Sequence, residues 1–196
     1  GRHRHRSCAV HGGDGFAFVI HGDERGTATI GKDGEDLGYG DTHNSLAVEF
    51  DMWTNVASQQ LSDDFFEDHI SIHGSSGRND PGSSTALGYA RPAILADGKI
   101  HKIRIAYLSH LVNDYFDHMT ANKNLIQYLK DNGEGRRLGT LAIFIDDGIY
   151  EDKPILVIPL NLSTLLDLPQ GLAHVGFTSS TGEKWEKHDI VDWTWI

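Results

Sequence analysis

Apolar and polar residues alternate in short runs along most of this chain. In Leu46-Ala47-Val48-Glu49-Phe50-Asp51 every second residue is large and apolar, the period-two pattern of a strand with one face buried. Similar runs lie at 14–20, 45–51, 70–72, 101–107, 140–145, 154–160, 173–179 and 189–195. Asp33-Gly34, Asp97-Gly98, Asp147-Gly148 and Thr181-Gly182 stand between them as turn signals. Many short strands with glycine-rich turns predict an all-β protein, a sandwich or barrel. Leu46, Val48, Phe50, Ile103, Ile105, Leu141, Ile143, Val175 and Phe177 are the expected core. One stretch departs from period two. Between residues 109 and 133, Leu111, Val112, Tyr115, Phe116, Leu125, Ile126 and Leu129 fall at helical spacing and Gly133 supplies a stop. This predicts a helical insertion whose apolar stripe packs on the strands.

The 196 residues suit one domain, and no apolar run is long enough to span a membrane. Acidic residues number 28 against 17 basic, for a net charge of −11. Such a surface repels phosphate backbones, which argues against nucleic acid as a partner. Cys8 is the sole cysteine, so neither an intrachain disulfide nor a cysteine zinc site can form.

The chemistry concentrates between residues 46 and 69. Strand parity puts Glu49 and Asp51 side by side on the face opposite Leu46, Val48 and Phe50. Two adjacent carboxylates repel unless a cation or a shared proton compensates. Asn55, Asp64 and His69 follow. Carboxylates and an amide oxygen suit calcium, and an added imidazole suits a transition ion such as manganese. The competing readings are a solvated carboxylate pair with a surface histidine, or a glycoside-hydrolase pair. A sandwich-fold glucanase motif, Glu-x-Asp-x-x-Glu, would need a carboxylate where Thr54 stands, which counts against catalysis. Asn161-Leu162-Ser163 is a glycosylation sequon. Trp193 and Trp195 alternate with polar residues as core aromatics do, whereas Trp185 is the better candidate to stack on a sugar.

These residues resemble the L-type (legume-lectin-like) domains of the concanavalin A-like sandwich family, in a microbial or protist flavour. Leu46 to Asp51 followed by Asn55, with Asp64 five residues before His69, resembles the family's metal motif. Gly13-Asp14-Gly15-Phe16 resembles its first sugar loop, Gly34 to Gly40 the second, and Val175 to Gly182 the last. His188 to Trp195 is similar to its closing strand. The resemblance runs in family order along nearly all of residues 1–196 and implies a single domain, a jelly-roll antiparallel β-sandwich. The implied function is metal-dependent glycan binding without catalysis, with Ca²⁺ and Mn²⁺ or another transition metal as cofactors. Glu49 and His69 would hold the transition metal, Asp51 and Asp64 both ions, and the Trp53 carbonyl with Asn55 the calcium. Asp14 after a cis peptide, Gly34, Glu35, Asn55, Glu183 and Trp185 would form the sugar site. Glycans or glycoproteins are the implied partners, in an extracellular, cell-surface or secretory-lumen setting. The family carries further strands before the Asp14 segment, so a further segment or chain is expected to complete the sandwich. Glu35, where a glycine is usual, and a longer 55–64 loop keep a second reading open: a structural or assembly module with a vestigial sugar site.

Overall fold

The computed structural model describes residues 12–53, 68–75, 86–92, 95–119, 138–168, 171–182 and 185–196. Among the described residues, seven of the alternating runs and one further segment form strands: β1 (Gly15–His21), β2 (Ser45–Asp51), β3 (His69–Ser75), β4 (Ala86–Ala90), β5 (Ile103–Leu108), β6 (Gly139–Ile145), β7 (Leu156–Leu160) and β8 (His174–Ser180). They form two antiparallel sheets, in the orders β4-β3-β2-β1-β8 and β5-β6-β7. This is the expected concanavalin-like sandwich.

The core lies between the sheets. Leu46, Val48 and Phe50 of β2 meet Ile70 and Ile72 of β3, Leu87 of β4, Leu141 and Ile143 of β6, and Leu156, Ile158 and Leu160 of β7. On the opposite face of the larger sheet, Ala17, Val19 and Ala47 are roofed by Leu37 and Tyr39 from the long β1–β2 connection. The centre of that sheet is thus buried on both faces, and all seven residues of β2 are buried. Such a roof brings polar side chains of β2 and β3 out of water, where each needs a partner. A third cluster, Tyr115, Ala142, Phe144 and Val157, covers the outer face of the smaller sheet.

Three expectations change, and the helical insertion is described only in part. Within 109–133 the described residues hold one short 3₁₀ helix, Asn113–His118, in which Tyr115 is buried and Phe116 is 52% exposed; residues 120–137 lie outside the described residues. Among the described residues the segment 189–195 joins neither sheet. Its tryptophans lie on the larger sheet by their rings instead, Trp193 against Phe177 and Trp195 against Phe18, with centroids 5.7 and 6.3 Å apart. Trp193, Trp195 and Phe177 are therefore exposed, not core, β8 being the edge strand of the larger sheet. Ile103, Ile105 and Val175, also on edge strands, are half-buried. Finally, β4 is a strand that the alternation did not predict, since Gly88 and its flanking alanines blur the pattern.

The sequon has a structural reading. Asn161 is fully buried and precedes the short helix Leu162–Leu165, its carbonyl accepting the N–H groups of Thr164 and Leu165. A glycan has no room on that side chain in the folded chain.

Candidate functional site

Four chain segments meet at Asp14. The Gly13–Asp14 peptide is cis, as the resemblance implied. The Asp14 backbone ties two strand ends together: its N–H donates to the Ser180 carbonyl at 3.3 Å, and its carbonyl accepts the Met52 N–H at 3.0 Å. Its side chain is 5% exposed. Burial pushes the carboxyl above its usual range, opposed by a long contact, 3.5 Å, from the Ser180 hydroxyl. That hydroxyl lies 2.5 Å from the Gly34 carbonyl, which brings the second loop to the same place. Gly34 is left-handed, φ 64°, with open space where a Cβ would be. On the remaining side is Gly182, whose added Cβ would stand 3.0 Å from both Asp14 oxygens. The segments 13–14, 34–36, 51–53 and 180–182 therefore gather around one buried acceptor carboxylate. Among the described residues this carboxylate meets one long hydroxyl contact, and such a carboxylate can take hydroxyl donors from a ligand.

The second focus is Glu49. Parity in β2 and β3 sets Glu49 opposite Ser71, Asp51 opposite His69 and Ala47 opposite His73. All of these face the roof formed by the β1–β2 connection. Glu49 is 6% exposed. Its Oε1 accepts a short hydrogen bond from the Tyr39 hydroxyl. Its Oε2 accepts from the Ser71 hydroxyl at 2.8 Å and lies 2.9 Å from His73 Nε2. A carboxylate only accepts, so His73 Nε2 carries a hydrogen. Burial pushes the Glu49 carboxyl up, but His73, Tyr39 and Ser71 outweigh it and leave it below the ordinary range. Burial and the neighbouring Glu49 charge hold the Tyr39 hydroxyl well above its usual value, so its proton stays in place.

Of the sequence-predicted site residues, Asp14 and Gly34 meet as described. Asp51 and His69, each 3% exposed, stand directly across the β2–β3 ladder. Asp51 Oδ1 accepts the Trp53 N–H at 2.7 Å, which turns the chain after β2. Trp53 packs beside Gly13. Trp185 is 79% exposed and free to stack. Glu35 lies in the 3₁₀ turn Gly34–Asp36. Asn55, Asp64 and Glu183 lie outside the described residues. Sequence reasoning missed Tyr39, Ser71, His73 and Ser180. Parity alone signals Ser71 and His73, which share the face of His69.

The chemistry of the donors tests the two metals differently. Asp51 and the Trp53 carbonyl are hard oxygen donors at a strand end, the type calcium takes. Glu49 is the more heavily engaged acid: its Oε2 meets Ser71 and His73 and its Oε1 meets Tyr39, which leaves fewer lone pairs for a transition ion. Among the described residues, no three histidine, cysteine or acidic side chains are grouped so as to hold an ion.

Residues 5–195 match the family model described as the legume lectin domain. A curated protein of Medicago truncatula, Lectin 11, is 30% identical over 115 residues, which is 59% of this chain and 36% of that protein. The chain matches about a third of the length of this relative.

Proposed function

The chain belongs to the legume lectin domain family, and from that premise we propose that it is a glycan-binding module that catalyses nothing. The observation that carries the reading is the gathering of four segments on the buried Asp14 carboxylate. In this reading Asp14 accepts hydrogen bonds from sugar hydroxyls, and Gly34, beside it, leaves the space a sugar ring needs. Asn55, Glu183 and Glu35 contribute polar groups, and Trp185 offers an aromatic face. The proposed calcium ligands are Asp51, the Trp53 carbonyl, Asn55 and Asp64. Bound calcium supplies charge and oxygen coordination that tether the loop after β2. The Trp53 N–H bond to Asp51 Oδ1, which holds these two residues together at the end of β2, supports this reading. An extracellular, cell-surface or luminal setting rests on the family alone; among the described residues no helix is long and apolar enough to cross a membrane.

A second reading draws on the exposed Phe177, Trp193 and Trp195 beside β8. Aromatic surface of this kind favours a further segment or chain that completes the sandwich, and with it the assembly module. The deciding experiment is a glycan array probed with calcium, with chelator, and with Asp14→Ala. Binding lost in both of the latter supports the lectin reading. No binding in calcium, together with a stable partner complex through Trp193 and Trp195, replaces it with the assembly reading.

A further inference from the structure

We propose that Tyr39, Ser71 and His73 hold the Glu49 carboxylate in the place where the family resemblance puts a transition metal, so that this domain takes up calcium without manganese. The proposal rests on the calcium reading of Asp51, Trp53, Asn55 and Asp64, and concerns what happens next to it.

The argument begins with strand parity. Along β3, His69, Ser71 and His73 face the same way, and Glu49 stands across from the middle one. The resemblance asks Glu49 to share an ion with His69, at the loop end of the ladder. Its carboxylate is instead engaged towards the other end, by His73, which lies across from Ala47. Tyr39 closes the set from the roof. The three donors come from two separate segments and converge on one buried acid, with His73 Nε2 also 3.0 Å from the Ser71 hydroxyl. This is a closed network that satisfies each of its members.

A dication seated on Glu49 would have to displace part of that network. Tyr39 is 5% exposed and His73 7%. A donor displaced there loses its acceptor with little access to water, which is costly. Calcium asks nothing of Glu49, because its proposed ligands lie at the end of β2 and beyond. The imidazole and carboxylate pair that would select a borderline ion is therefore broken: the carboxylate is committed to protein donors. His73 and Tyr39 become the determinants of metal content, a role that neither has as a ligand.

The test is metal stoichiometry on the whole chain. Protein stripped with chelator is loaded with Ca²⁺ and titrated with Mn²⁺, free Mn²⁺ being read by electron paramagnetic resonance and total metal by mass spectrometry. The expected result is calcium uptake with no additional manganese. The Tyr39→Phe/His73→Ala double variant, which frees Glu49, should then gain about one Mn²⁺ per chain. Additional manganese in the unmodified chain that Glu49→Gln removes would overturn the proposal. Because the double variant can fail to fold, the unmodified chain carries a second readout. The ¹⁵N resonances of His73 should show a hydrogen on Nε2 and should not broaden when Mn²⁺ is added to the calcium form; broadening at His73 that Glu49→Gln abolishes overturns the proposal as well. A chain that takes up neither ion overturns the calcium reading alone and leaves the Glu49 assignment standing.

Discussion

Replacing Tyr39 by Phe isolates the energetic weight of the network around Glu49. The ring stays, so the small cluster with Ala17, Val19, Leu37 and Ala47 keeps its packing, and only the hydroxyl is lost. That hydroxyl donates to a carboxylate that is 6% exposed. A hydrogen bond to a charged group contributes about 1.5–3 kcal/mol. For a domain near 200 residues, 1 kcal/mol corresponds to roughly 2–4 °C in melting temperature. Tyr39→Phe should therefore lower the melting point by about 3–12 °C. The measurement is a thermal melt followed by near-ultraviolet circular dichroism in chelator, so that no ion contributes. Tyr150→Phe is the control: Tyr150 is 71% exposed and its hydroxyl accepts from Lys102 at 2.8 Å, so its loss should stay within about 0.5 kcal/mol. A double-mutant cycle with His73→Ala should be non-additive, because both side chains donate to the same acid. A Tyr39→Phe shift no larger than that of Tyr150→Phe, with strict additivity to His73→Ala, would refute the network.

Three further outcomes are expected. Leu141→Ala, at a fully buried site in the centre of β6, should cost about 2–5 kcal/mol in denaturant unfolding, whereas Ile30→Ala, at 81% exposure, should change stability by less than about 0.5 kcal/mol. Gly182→Ala pushes a methyl to 3.0 Å from the Asp14 oxygens; it should weaken glycan binding by about 5–30-fold, roughly 1–2 kcal/mol, in calorimetric titration, while the melting point barely moves. The last concerns pH. His101 bridges Asp146 at 2.8 Å and Asp97 at 3.0 Å. The Asp146 hydrogen bond raises His101 above its ordinary 6.5, so its stabilisation is complete below 6.5 and fades as pH rises through the raised value. Asp97 is held down to about 2, first by its bond from Lys99; burial acts to raise Asp146, but the His101 bond, the Lys102 N–H and the His101 charge together leave it lowered; both contributions are present above 3.8 and fade as pH falls. The melting-point difference between the unmodified chain and His101→Gln should therefore be largest between 3.8 and 6.5 and shrink on either side; a difference that keeps growing to pH 9 sinks this assignment.

The strands were legible because both periodicity and burial act on the same residues. In β2 the apolar and polar sets separate cleanly, and Leu46, Val48 and Phe50 reach the core as read. The reading failed where tertiary context decides. Phe177 looks like Phe50 in its local sequence, but exposure depends on whether a second sheet lies over it, and alternation carries no information about that. Trp193 and Trp195 alternate as a strand does, yet their segment lies on the sheet by its rings. Of the helical spacing in 109–133, the described part is the short helix Asn113–His118 with Tyr115 buried.

The site divides along the same line. Residues that act through local geometry announced themselves: Asp14 after its glycine, Gly34 in its turn, and the Glu49 and Asp51 pair on one face. What the sequence could not announce is which of those carboxylates would be satisfied by protein. That depends on register. Sliding β3 by two residues against β2 would set His73 across from Glu49 and His69 two positions farther along, with the sequence pattern unchanged. Tyr39 reaches Glu49 only because the β1–β2 connection folds back over the sheet, held by Gly38, left-handed at φ 79° and close against Ser179. A metal motif read from spacing alone is thus a statement about possible ligands. Whether a given carboxylate remains available to an ion is settled by donors tens of residues apart in sequence, here Tyr39 and His73, and by nothing within the motif itself.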